Sequence, residues 1–412
     1  MVSPTGPQTL KKPLVLLMAV GVGAIVANGY YIQPLLAVIG RSFHASVSTI
    51  GSLAMLTQIG TALGMLLFVP LGDKYERRSL ITLLVSAAAI SLALLAASAN
   101  LAWLLLACFA VGATAATVHV IVPLAAHLAP ERERGRIVGF VLSGLLIGIL
   151  LARTFSGFWG SAFGWRSVYW FGSAVMLLLA VTYRRMLPRV DPVFHLPWSA
   201  LMGSLVGLVR KHSILRQASF SGAMSFGAFS TFWTTLIFLL GTPPFHYGAK
   251  AAGLFGLVGV VGAAGAPLVG HFADKKGTWT AVLLGLLLTA SGFLVLLAAG
   301  KTLPGLILGV ILLDAGVQAT HVANQTRIYA LDPEARSRLN TVYMVSYFVG
   351  GALGSFFGTV CWIHAKWTGV CLLALGMLGL ALAAHILSRK QHAAVHESSS
   401  TQREPVPVTG SN

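Results

Sequence analysis

The sequence predicts an all-α membrane protein, with twelve transmembrane helices arranged as two pseudo-symmetric six-helix bundles. Three observations carry that prediction. The 412 residues are 56% hydrophobic and 9% charged, with a mean hydropathy of +0.81, whereas a soluble domain is about 25% charged. Apolar runs recur at the length that crosses a bilayer as helix, roughly 20 residues. The second half of the chain repeats features of the first at a nearly constant offset. In lipid the backbone must satisfy its own polar groups, which leaves helix bundles and closed barrels. Barrel strands alternate apolar and polar residues, and these runs do not.

The runs lie near 13–39, 48–71, 79–99, 101–128, 137–160, 166–187, 216–240, 250–272, 279–299, 303–329, 342–364 and 368–388. They are spans one to twelve. The first is too long for a signal peptide and lacks a cleavage site, so it reads as a retained span. Most connections are a few residues long, which makes consecutive helices antiparallel neighbours. The exception, from Arg184 to Arg216, divides the chain into a bundle at 1–187, a linker at 188–215, a second bundle at 216–388 and a polar tail at 389–412. The tail's composition predicts disorder. In the linker Trp198, Leu201, Met202, Leu205, Leu208 and Val209 share one helical face, the pattern of a helix lying on a membrane surface.

A net charge of +17 would suit a nucleic-acid partner, but its distribution argues otherwise. With both termini cytoplasmic, every Lys and Arg except Arg41, Arg153, Arg166, Lys250, Lys301 and Lys366 falls in cytoplasmic segments or at their edges. That asymmetry sets orientation. Cys108, Cys361 and Cys371 lie inside apolar runs without metal-ligand spacing and read as small hydrophobes. No nucleophile–base, metal-ligand or phosphate-loop motif points to an enzyme, a metal or a cofactor.

The halves match in detail. VPLGDKYERRSL follows span two and VGHFADKKGTWT follows span eight, with Asp73 and Asp274 separated by 201 residues. Arg134, Arg136 and His119 match Arg336, Arg338 and His321 at 202. Span five has Gly144, Gly148, Ala152 and Ser156 at every fourth position; the same offset gives Ser346, Gly350, Gly354 and Gly358. Such repeats mark a parallel duplication about an axis along the membrane normal. Small residues let backbones approach closely. The stripes fit static packing and also a seam where the halves rock, formed by Gly144, Gly148, Arg153, Gly350, Gly354 and Gly358 with the glycines of span eight. Arg153 itself reads as a snorkelling or interface-bracing residue.

On these residues the chain resembles the major facilitator superfamily over nearly its whole length. The family's loop signature, Gly-x-x-x-Asp-x-x-Gly-Arg/Lys, keeps Gly270, Asp274 and Gly277 in its second copy. The first copy keeps Asp73 and Arg77 but has Val69 and Glu76 for the glycines. YYIQPLL in span one and GLLIGILLARTFSG in span five resemble the drug and sugar efflux branch, notably arabinose-type permeases. Two departures matter. Ile149 stands where the drug-antiporter signature has proline, and Cys108 stands where many proton antiporters have an arginine. Those routes to transport direction and to a span-four proton site therefore do not transfer.

The resemblance implies gating loops at Asp73, Arg77, Arg78, Gly270, Asp274 and Gly277, with the aspartates also suited to capping the following helix. It implies a cavity lined by spans one, four, seven and ten. Asn28, Tyr30, Tyr31, Gln33, Thr114, Thr117, Ser225, Phe229, Trp233, Thr234, Gln318, Asn324 and Gln325 are then the expected substrate contacts, with Gln58 of span two. Aromatic and amide groups with few charges suit a neutral, lipophilic or monocationic molecule.

One acid does not fit a lipid-facing helix. In LLDAGVQATHVANQTRIY, residues 312–329, Asp314 is the only one of the 11 acidic residues outside loops and tail. Asp314, Gln318, His321 and Gln325 are spaced to share one helical face. A charged Asp at mid-bilayer costs ~2.5–3.5 kcal/mol, tolerable only where the face meets water or a partner. Asp314 is the first candidate for proton coupling; His321 either relays protons or completes a polar network. The expected function is export of a small organic molecule, drug-like or sugar-like, across a bacterial inner membrane by proton-coupled alternating access. The alternatives are a proton symporter or facilitator for uptake, and a non-transporting receptor. The expected partners are that molecule, protons and the bilayer, with no nucleic acid, for a monomer.

Overall fold

The structure, a computed structural model, describes residues 12–190, 198–274 and 277–401, without the side chains at 73, 198–199, 263–274 and 388–401. All regular structure among these residues is helical. Ten helical stretches are long and apolar enough to cross a membrane. The last of them, Arg336–Leu387, turns at Lys366 (φ 51°, ψ −145°) and so contributes spans eleven and twelve. Ala249–Asp274 supplies span eight, which completes the expected twelve.

Span one runs as Lys12–Tyr30 and Ile32–Ser42. It is interrupted beside Pro34, which removes the hydrogen bond to the Tyr30 carbonyl. Spans two and three are Val47–Lys74 and Arg77–Ala96. Span four is broken into Leu101–Ala115 and Val118–Leu128, where the Thr114 and Thr117 hydroxyls donate to backbone carbonyls of the preceding turn, a pattern that bends helices. Spans five and six are Arg134–Phe163 and Trp165–Met186. Spans seven, nine and ten are Ser213–Leu240, Thr278–Ala299 and Leu303–Tyr329. The helix starts repeat as the motifs do: Val47, Leu101 and Arg134 precede Ala249, Leu303 and Arg336 by 202 residues. Asn100 and Thr302, at the same offset, each cap the helix that follows.

Packing repeats too. Span one lies on five and seven on eleven; two lies on four and eight on ten; three lies on six and nine on twelve. The halves meet along two equivalent seams, span two with eleven and span five with eight. The glycine stripes expected at the seam lie elsewhere. A Cβ at Gly144 or Gly148 would strike the backbone of Ala19 or Gly23 in span one, and one at Gly350 or Gly354 would strike Ala223 or Gly227 in span seven. Gly358 faces Thr231 in span seven in the same way. These glycines therefore close each half internally. The seams use Gly51 against Thr359, and Gly253 and Gly256 against the Arg153 turn.

The linker helix forms as Trp198–Lys211. Leu201, Met202 and Leu205 border a small pocket with Val69 and Pro70 of span two and Ser337, Arg338 and Thr341 of span eleven. It thus covers one end of a seam. The backbone of the predicted tail is helical to Thr401, and 402–412 lie outside the described residues.

The two loop copies differ for a physical reason. Asp73 lies in the last turn of span two rather than at the start of span three. Glu76 caps span three instead, accepting from the N–H groups of Arg78 and Ser79. Despite a desolvation cost that works the other way, these bonds and the Ser79 hydroxyl hold its carboxyl below the usual value. At the equivalent position Gly277 has φ 85°, a conformation glycine adopts without penalty. Arg77 is buried, its Nε donating to the Gly72 carbonyl at 3.0 Å, and Arg78 lies 3.9 Å from Glu76. The Asp73 and Asp274 side chains fall outside the described set, as does further detail at Gly270.

Candidate functional site

Arg153 is buried where span five meets span eight, the position of an interface-bracing residue rather than a snorkelling one. It is 0% exposed. Its Nε donates to Gln33 Oε1 at 2.7 Å. Its guanidinium carbon stands 3.9 Å from the Trp233 ring centroid, 5.0 Å from Tyr30 and 5.5 Å from Phe229. Both terminal nitrogens, Nη1 and Nη2, lack a hydrogen-bond partner. Aromatic faces attract a desolvated cation but leave its donors unsatisfied. Side chains from both halves thus hold the cation, with the fork left open.

The counter-charge is Asp314, 2% exposed, on span ten. Arg153 and Asp314 interact electrostatically, yet they make no direct ion pair, and Asp314 Oδ2 has no partner. Gly259 of span eight makes room for this arrangement. A Cβ there would stand 3.3 Å from the Trp233 ring and 3.4 Å from both Asp314 oxygens. Gln33, Pro34, Arg153, Trp233, Leu236, Ile237 and Ala252 line a crevice with no room even for a water molecule. The site is closed in this conformation. Arg153 lines this crevice, and Asp314 is buried nearby, outside its lining, both with polar atoms left without partners.

The other predicted residues divide into groups. Gln33, Phe229 and Trp233 join the centre. Ser225 is buried one turn from Phe229, its hydroxyl unpartnered. Gln318 is half-buried one turn beyond Asp314. Asn28 and Tyr31 turn away into the first half: Asn28 faces Gly172 of span six, and Tyr31 packs on Phe155 and Tyr169. One residue rotates the helix by about 100°, so of the adjacent pair Tyr30 faces Arg153 and Tyr31 does not. Thr114 and Thr117 are spent on their own helix. Gln58 is a seam residue, its Nε2 donating to Gly351 O at 3.2 Å and Ser355 Oγ at 2.8 Å.

The lower part of the span-ten stripe is engaged by residues of its own half. His321 Nδ1 lies 3.0 Å from the Tyr343 hydroxyl, and its ring centroid is 4.8 Å from that of Tyr347. Asn324 donates to Ser221 and Gln325 to Asn340, so both tie span ten to its own half. Sequence reasoning underrated Arg153 although a signal was present, a lone cation within an apolar span and an aromatic pair one helical turn apart at Phe229 and Trp233.

The comparisons with known proteins agree with this architecture. The model of the Major Facilitator Superfamily matches residues 18–355. The chain belongs to the major facilitator superfamily. It is 42% identical over 363 residues to the transporter YgaY of Escherichia coli, covering 88% of this chain and 92% of that one. It is 25% identical to a probable sugar efflux transporter of Helicobacter pylori, covering 84% and 87%. Among solved structures, a bacterial homologue of the human lysosomal transporter Spinster, inward-facing and occupied, superposes with a TM-score of 0.74 at 15% identity, covering 92% of this chain and 98% of that one. As a member of this superfamily the protein is a multi-pass membrane transporter and not an enzyme.

Proposed function

We propose that this transporter exports a small organic molecule across a bacterial inner membrane in exchange for protons, with Asp314 as the proton-carrying group. Residues 1–187 and 216–388 act as the two rocking halves, with both termini cytoplasmic. The observation that carries this reading is the position of Asp314, buried beside Arg153 at the junction of the halves with one oxygen unpartnered. A carboxyl there gains or loses a proton only when one side of the bundle opens to water. Its charge also changes what faces Arg153, which ties protonation to the contact between halves. The similarity to a protein named a probable sugar efflux transporter and the efflux-like motifs of spans one and five support the outward direction.

The test uses inverted vesicles containing the full chain. An imposed inside-acidic gradient should drive substrate accumulation in the wild type. Asp314→Asn should abolish that accumulation while leaving passive exchange; intact coupling in the variant would remove Asp314 from the mechanism. The same test applied to His321→Gln should leave coupling in place, because the His321 ring is engaged by Tyr343.

A further inference from the structure

The geometry points to a zwitterion as the transported molecule: an α-amino-acid-like compound with an apolar or aromatic body, its carboxylate on the Arg153 fork and its ammonium on Asp314. This inference rests on the transport reading above and adds the substrate class.

Four observations lead to it. Gln33 occupies Arg153 Nε, so the two open donors are Nη1 and Nη2, the pair that grips a carboxylate bidentately. Asp314 Oδ2 is likewise open and equally buried. The two charges interact but do not touch, so a ligand carrying both signs satisfies both without leaving net charge in the apolar interior. Around Arg153 lie Trp233, Tyr30 and Phe229, with Leu236, Ile237, Pro34 and Ala252 on the crevice wall, and Trp233 and Asp314 both border Gly259.

Those walls argue against the neighbouring classes. A sugar needs partners for hydroxyls all around its ring, and beyond Arg153 the crevice offers Gln33, whose carbonyl oxygen is already taken, and the single open N–H of Trp233. A monocation would leave the buried fork of Arg153 open, and a monoanion would leave Asp314 open. An unmet buried partner is what makes a polar site reject an analogue. A zwitterion also fits proton exchange, since its ammonium and a proton compete for the same Asp314 carboxylate.

The experiment is calorimetric titration of the purified full chain with leucine, phenylalanine and tryptophan. The comparison ligands are phenylalaninamide (a cation), N-acetylphenylalanine (an anion) and arabinose. The wild type should bind at least one amino acid more tightly than either monopolar analogue by about tenfold or more. Arg153→Lys, which keeps the charge and loses the fork, should erase the preference for phenylalanine over phenylalaninamide; Asp314→Asn should erase that over N-acetylphenylalanine. Binding of none of the three amino acids, equal binding of the monopolar analogues, or tighter binding of arabinose would each overturn the proposal. Proton-driven accumulation of arabinose in vesicles would sink the zwitterion and keep the export reading. Binding of phenylalanine without any response to a pH gradient would do the reverse.

Discussion

The two seams occupy equivalent places in a duplicated bundle, and they are chemically opposite. Ser355 follows Arg153 by 202 residues, and Thr234 follows Gln33 by 201. In the second half Thr234 donates to Ser355 at 3.0 Å, and Gln58 closes the group from span two at 2.8 Å. In the first half the same positions hold the Gln33–Arg153 bond at 2.7 Å, with three charged-group atoms nearby left without partners. The reciprocal exchange reaches span ten. Asp314 stands at the offset of Gly112, whose missing side chain lets span four approach the Thr57 backbone of span two. One seam is neutral and satisfied, so it can serve as a hinge under any proton load. The other is charged and unsatisfied, so it changes energy whenever a proton or ligand arrives. Duplication supplied the frame, and the buried charges lie on the side where the symmetry was broken.

The sharpest way to break that contrast is to remove its charge. Arg153→Leu should abolish transport and lower stability by about 3–5 kcal/mol, because Asp314 is then buried without its counter-charge. Thermal unfolding in detergent measures the loss. The Arg153→Leu/Asp314→Leu double variant should regain most of that stability but no transport. A double variant as unstable as the single one would show that the guanidinium holds the fold by packing on Trp233 rather than by charge.

A smaller effect separates what closes a half from what joins the halves. Gly148→Ala places a methyl against the Gly23 backbone, which cannot yield as a side chain would. About 1–3 kcal/mol of stability should be lost, with the selectivity of the remaining transport unchanged. Gln58→Leu on the neutral seam should cost less, about 1 kcal/mol for the bonds to Gly351 and Ser355, and proton coupling should persist. Loss of coupling in Gln58→Leu would erase the distinction between hinge and charged centre.

Much of this architecture is legible in the sequence because lipid imposes it. Twelve runs, the linker helix and the repeat follow from hydropathy and spacing alone. Asp314 stands out for the same reason, an acid where the solvent is oil. What is hidden is rotation. Tyr30 and Tyr31 differ by one position, and only packed neighbours decide that Tyr30 meets Arg153 while Tyr31 packs on Tyr169. The glycine stripes carry the same ambiguity. Spacing identifies a close helix contact but not its partner, and the partner of Gly148 is span one.

The last and smallest test lies outside both seams, where the duplication diverged without consequence for the charged centre. Span three is capped by Glu76, and span nine begins after Gly277. Because the Glu76 carboxyl is held below its usual value of 4.5, the ionised cap stabilises the fold above that pH and ceases to do so as pH falls through the lowered value. The group is partly solvated at the membrane edge of a loop, so Glu76→Ala should cost about 0.5–1 kcal/mol, within the ordinary range for a cap. The difference in unfolding temperature between wild type and variant should be full at neutral pH and vanish in acid, and transport should be unaffected. A variant that lost proton coupling would mean that this loop, and not the buried pair alone, sets the response to protons.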